Sequence, residues 1–125
     1  MFTNFEGFVN DYCAQITGLN NLMLGNFWVN INQKGHLNQF HNHAFAILSG
    51  AFYLKGNAPI IFLHPFHDIT TYFWDDSIVE EWNKANSGEW KIFPESNMLI
   101  IFPPWVKHKV FMNEENTDRI SLSFN

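Results

Sequence analysis

The hydrophobic pattern changes period once along this chain. Over residues 3–17 the apolar positions Phe5, Phe8, Val9, Tyr12 and Ile16 recur at three- and four-residue steps, the spacing of one helix face. Thr3 and Glu6 stand at capping-box spacing, and Gly18 follows, where a left-handed residue ends a helix without a Cβ penalty. From residue 27 the period falls to two. Phe27-Trp28-Val29-Asn30-Ile31-Asn32 predicts a strand with Val29 and Ile31 on one face and Asn30 and Asn32 on the other. Further strands are predicted at about 46–54, 60–63, 90–93, 98–102, 106–111 and 119–124, bounded by Gly, Pro and Asn turns. The run at 98–102 is apolar at every position, as in a strand buried on both faces. Residues 66–88 are aromatic and acidic, with a helical turn predicted at 77–84. With an extended segment through His41 and His43, the reading is a mainly β protein of about eight strands behind one helix. Such a count closes most naturally as a jelly roll or double-stranded β-helix.

Two late strands mix chemistry with alternation. In 106–111, Val106, His108 and Val110 share one face while Lys107 and Lys109 share the other, so His108 points inward. In the last strand Arg119, Ser121 and Ser123 lie on one face and Ile120, Leu122 and Phe124 on the other. The apolar face is expected to be the packed one. The Arg-Ser-Ser face then looks at solvent or into a polar cavity. Asn30 and Asn32 pose the same choice, since asparagine is unfavourable on a strand unless its amide finds a partner.

Composition narrows the class. At 125 residues the chain is expected to form one domain, 1–125, and 46% hydrophobic content with 14 Phe and 5 Trp excludes low-complexity disorder. A net charge of −5 with only 7 scattered Lys and Arg argues against general nucleic-acid binding. The lone Cys13 has no disulfide partner within the chain, and no run is apolar enough for a membrane span. The expectation is a soluble, cytoplasmic protein without membrane contact, its oligomeric state open.

The chemistry lies in the histidines. His41 and His43, two apart on extended backbone, point to one side, and imidazole is the commonest metal ligand. An inward His108 completes a candidate triad. His36 is out of register with the pair, and His64 and His67 flank Pro65 in a predicted loop.

The run Trp28-Val29-Asn30, Gly35, His41-Asn42-His43, Leu48-Ser49-Gly50, Tyr53-Leu54, Phe102-Pro103, Trp105, His108-Lys109-Val110, Asn113 and Arg119 to Asn125 resembles the 2-oxoglutarate/Fe(II) oxygenases. The likeness is strongest to a small branch ending in Arg-Ile-Ser-x-Ser-Phe-Asn, and it extends from about residue 27 to the C-terminus. It implies a double-stranded β-helix holding Fe(II), with 2-oxoglutarate as cosubstrate and a C–H bond of an unknown substrate as the target. It assigns His41, His43 and His108 to the metal. It assigns Arg119 to the cosubstrate, with Ser121 beside it and Tyr53 as a further contact. Asn38 stands where related enzymes place a cosubstrate-contacting tyrosine, three residues before the first ligand. Asn30, Asn32 and Trp105 become candidates for the substrate pocket. His43 replaces the aspartate usual in the wider superfamily, so the ligand set holds three imidazoles and no carboxylate. Asp75 or Asp76 could supply one in space.

Two other readings compete. A cupin shares Gly35 and His41-x-His43, but its glutamate position falls on Ile47 or Leu48, and a glycine of its second motif falls on Trp105. A non-enzymatic β-sandwich would instead bind a partner through Trp74, Trp82, Trp90 and Trp105.

Overall fold

The computed structural model describes residues 2–69, 76–83 and 85–125. Helix α1 (Phe2–Thr17) is followed by strands β1 (Phe27–Asn32), β2 (Asn38–His41), β3 (Ser49–Lys55), β4 (Ile60–Leu63), β5 (Glu89–Ile92), β6 (Leu99–Phe102), β7 (His108–Val110) and β8 (Arg119–Phe124). The strands form two four-stranded antiparallel sheets, ordered β1-β8-β3-β6 and β2-β7-β4-β5. Where a helical turn is expected at 77–84, the described residues hold a turn of 3-10 helix at Asp76–Ile78, and residue 84 lies outside them. No helix among the described residues is long and apolar enough to cross a membrane.

The first sheet packs on both faces, and its alternation explains how. Ala51, Tyr53 and Phe102 meet Ile60 in one buried cluster that also takes in Phe62, Ile92 and Ile100 from both sheets. On the other face Phe124, Leu99 and Ile101 join Val9, Cys13 and Phe5 of α1. Phe5 lies edge-on to both Phe52 and Phe124, at 6.0 and 6.2 Å between ring centres. Strand β6 thus has both faces in apolar clusters, as its unbroken apolar run predicts, although Leu99, Ile100 and Ile101 are only half-buried.

The structure corrects two local readings and decides a third. The buried stripe of α1 runs through Phe5, Val9 and Cys13, while Phe8 and Ile16 stay exposed. The helix begins at Phe2, before Thr3, and Glu6 accepts a hydrogen bond from Leu24 N at 3.4 Å. Gly18 does end the helix, with φ 71° and its N–H on Ala14 O at 2.9 Å. On β8 both faces are interior: Phe124, 3% exposed, packs with α1 while Ile120 and Leu122 are half-buried, and Arg119 and Ser121, 2% and 1% exposed, look with Ser123 into a polar cavity rather than at solvent. Strands β1 and β3 pair with this strand along its two edges, one face carries Phe124 into the cluster under α1, and the other carries the charge into the interior.

The close packing of β3 on β8 sets a stability test. A Cβ on Gly50 would collide with the Phe124 ring and come within 2.8 Å of Ile100 O. Gly50→Ala should therefore lower unfolding free energy by about 1–3 kcal/mol, the usual cost of overpacking, as read by urea denaturation.

Candidate functional site

Cross-strand register assembles the histidines. His41 and His108 are direct partners between β2 and β7, and Phe62 of β4 lies opposite His108 on its other side. A register shift between Asn38 and His41 marks an irregularity of the kind that re-aims side chains beside functional sites. His43 lies just past the end of β2, held by its N–H to Pro104 O at 2.9 Å. The three rings offer ligand nitrogens all within 4.8 Å of one another. His43 Nε2 and His108 Nε2 are 3.3 Å apart. Metal–nitrogen bonds of about 2.0–2.1 Å place neighbouring ligand nitrogens roughly 3–3.5 Å apart, so the donor set fits one transition-metal ion.

Backbone carbonyls orient two of the rings. His41 Nδ1 lies 2.7 Å from Gln39 O, and His108 Nδ1 lies 3.0 Å from Val106 O. A donor hydrogen on each Nδ1 leaves Nε2 bare for a cation, the usual arrangement behind a metal-bound histidine. His108 is 4% exposed, edge-on to Phe102 at 4.7 Å. Burial, with the neighbouring His41 and His43, pushes its pKa down to about 4 despite the opposing Val106 hydrogen bond. Burial and His41 also lower that of His43. Both rings are thus neutral at neutral pH, the state a metal requires.

Among the described residues no carboxylate joins the triad. Asp75 and the side chain of Asp76 lie outside them.

A narrow cavity of about 60 Å³ joins the histidines to Arg119. It is lined by His41, His43, His108, Asn30, Asn38, Tyr53, Arg119 and Ser121 together with Trp28 and Ser123. Arg119 donates from Nε to Ala58 O at 3.2 Å, and from Nη1 to Asn32 Oδ1 at 3.2 Å and Ser121 Oγ at 3.4 Å. All three acceptors are neutral. Its guanidinium carbon sits 5.0 Å from the centre of the Tyr53 ring. Gly56, at φ +87°, makes room for it: a Cβ there would stand 2.7 Å from Arg119 Cα. The Tyr53 hydroxyl is fully buried and, among the described residues, makes no hydrogen bond of good geometry, although the Arg119 guanidinium lies close enough to act on it. Burial pushes its pKa up, against the opposing influence of Arg119, so it stays protonated and able to donate.

The predicted residues divide between three places. Asn30 faces the cavity and donates to Ser123 Oγ at 2.7 Å. Asn32 stands behind it, buried between Arg119 and Asn38. Trp105 lies apart, 59% exposed, in a separate depression with His64, His67 and Lys107. It follows Pro104, whose carbonyl holds His43, but its own side chain does not reach the cavity. Trp28 was missed as a site residue, with its ring 5.7 Å from that of His43. The period-two pattern held the signal, because Trp28 shares a face with Asn30 and Asn32. Trp82 and Trp90 are exposed, and Trp74 lies outside the described residues.

The depressed His108 pKa has a sign that can be checked in metal-free protein. Between pH 6.5 and about 4 the unfolded chain takes up a proton that the folded one refuses. Stability from this group is complete above pH 6.5 and falls as pH drops toward 4, by on the order of 3 kcal/mol. Denaturant melts of wild type and His108→Gln across this range should show a steeper acid loss in wild type.

Residues 26–125 match the family model described as "Putative 2OG-Fe(II) oxygenase". No curated protein matches the chain. Four-fifths of the sequence, including the three histidines and the buried arginine, falls within the family match, and the chain belongs to the putative 2OG-Fe(II) oxygenase family.

Proposed function

We propose that this protein is a non-haem Fe(II), 2-oxoglutarate-dependent dioxygenase acting as a hydroxylase, in a single domain folded as a double-stranded β-helix. The interleaved strand order, β1-β8-β3-β6 against β2-β7-β4-β5, is the arrangement a jelly roll requires and supports that fold reading. One observation carries the functional reading. A buried arginine that pairs with no carboxylate among the described residues lines the same cavity as three histidines within reach of one ion.

An uncompensated buried charge is costly, so a site that keeps one is suited to an anion arriving from outside. In this reading His41, His43 and His108 hold the iron through Nε2 or an equivalent nitrogen. Arg119 receives the far carboxylate of 2-oxoglutarate, where its planar fork supplies paired donors and its burial keeps competing water out. The Tyr53 hydroxyl, buried beside Arg119, donates to that carboxylate, and Ser121 keeps the guanidinium in plane. Asn38 occupies the cavity wall between the two ends. When bound, iron and cosubstrate would supply oxidative decarboxylation of 2-oxoglutarate to succinate and carbon dioxide with dioxygen as the oxidant, one oxygen atom entering succinate and the other the hydroxylated substrate C–H bond. Three neutral imidazoles leave the ion's charge uncompensated, which favours a chelating anion over a neutral ligand. Trp28 and Asn30, beside His43 and Ser123, form the wall against which a substrate would lie. A cupin has no need of a buried cation here.

Two substitutions separate the two ends of the site. His108→Ala should abolish stoichiometric Fe(II) binding. Arg119→Lys should retain one metal per chain yet weaken 2-oxoglutarate binding by about tenfold or more, because an ammonium keeps the charge but not the fork. Metal analysis of anaerobically prepared protein and calorimetric titration read the two effects. Retained metal in His108→Ala, or unaltered cosubstrate affinity in Arg119→Lys, would contradict the assignment.

A further inference from the structure

Asn32 is placed to do something that a cavity residue does not. It stands directly across from Arg119 between β1 and β8, 6% exposed, and its side chain is held at both ends. Oδ1 accepts from Arg119 Nη1 at 3.2 Å, while Nδ2 donates to Asn38 Oδ1 at 2.9 Å. Its backbone carbonyl accepts from Asn113 Nδ2 at 2.9 Å. Asn113 is itself buried, and its Nδ2 also donates to Thr117 O. The amide therefore has one orientation that satisfies both neighbours, with oxygen toward the arginine.

The position next to Arg119 is the natural one for a carboxylate. An aspartate there has the same shape as asparagine and would form a buried ion pair with the arginine. The chain instead places a neutral acceptor at that point, as it does at Ala58 O and Ser121 Oγ. Each of the three directs the guanidinium without cancelling its charge.

We infer that Asn32 is a positioning residue for the cosubstrate: it fixes Arg119 in the cavity while leaving its charge free for the carboxylate of an incoming dicarboxylate. This rests on the reading that Arg119 meets 2-oxoglutarate. Neutrality at residue 32 is then a condition of binding. An internal carboxylate would occupy the arginine before the cosubstrate arrives.

The experiment compares full-length wild type, Asn32→Asp and Asn32→Ala, each loaded anaerobically with Fe(II). Metal content, melting temperature and calorimetric affinity for 2-oxoglutarate are measured for each. Asn32→Asp should keep one metal and melt no lower than wild type, yet lose cosubstrate affinity by about a hundredfold, the scale on which close charge partners alter binding. Asn32→Ala should lower both melting temperature and affinity, the latter by about tenfold. A purely structural asparagine would give the opposite split, with melting lowered in both variants and affinity untouched. Asn32→Asp binding 2-oxoglutarate within about threefold of wild type would overturn the inference while leaving Arg119 as the cosubstrate residue. Failure of Asn32→Asp to fold would also overturn it, since Arg119 would then not have paired with the new carboxylate. Absence of binding by wild type itself would overturn the cosubstrate reading and this inference with it.

Discussion

A guanidinium is buried in the interior of this protein, and no carboxylate among the described residues faces it. That constraint organises the rest. Burying a charge without a counter-ion costs several kcal/mol unless hydrogen bonds replace its water. The backbone carbonyl of Ala58, the amide of Asn32 and the hydroxyl of Ser121 replace part of it. Gly56 clears the space in which the side chain lies, and the Tyr53 ring covers one face. Elements from β1, β3, the β3–β4 turn and β8 are therefore committed to one side chain. The stability cost is tolerable because α1 seals the opposite face of the same sheet with an apolar cluster.

The histidines show the same economy of position. Their convergence comes from strand register at two of the three residues and from a turn at the third. His108 is walled by Phe62 and Phe102, which lower its affinity for protons, and Val106 O fixes the tautomer that leaves Nε2 available. Apolar burial, often treated as a matter of stability, here acts on the chemistry of the site. It keeps the ring in the protonation state that a metal needs. The cavity that runs from this ring to Arg119 then brings three imidazoles and a guanidinium into one narrow space.

Much of this was legible in the chain because strand alternation is short-range. Val106, His108 and Val110 against Lys107 and Lys109 sufficed to turn His108 inward, and Arg119, Ser121 and Ser123 fell on one face by parity alone. Which face was interior was not legible on β8. A strand that packs on both sides defeats the rule that the apolar face is the buried one, and nothing local announces that a helix will cover Phe124 from outside. Cys13 was hidden for a related reason: helical spacing made Phe8 and Ile16 plausible contacts, and only the sheet's position selected the Phe5-Val9-Cys13 stripe. Trp105 carried a motif-level signal yet stands outside the cavity, because a turn of Pro103-Pro104 puts its ring on the surface. The Asn32–Arg119 contact joins residues 87 apart in sequence and depends on β1 pairing with β8, information no local pattern holds.

The central claim is that metal and dicarboxylate share one cavity, which makes their binding thermodynamically coupled. The most direct test is calorimetric titration of 2-oxoglutarate into the protein with and without anaerobic Fe(II), repeated with Fe(II) titrated in the presence and absence of 2-oxoglutarate. The account predicts that each tightens the other by the same factor, about tenfold or more, with one site per chain. Affinities that are independent of each other, or no binding of 2-oxoglutarate to the iron-loaded protein, would contradict it.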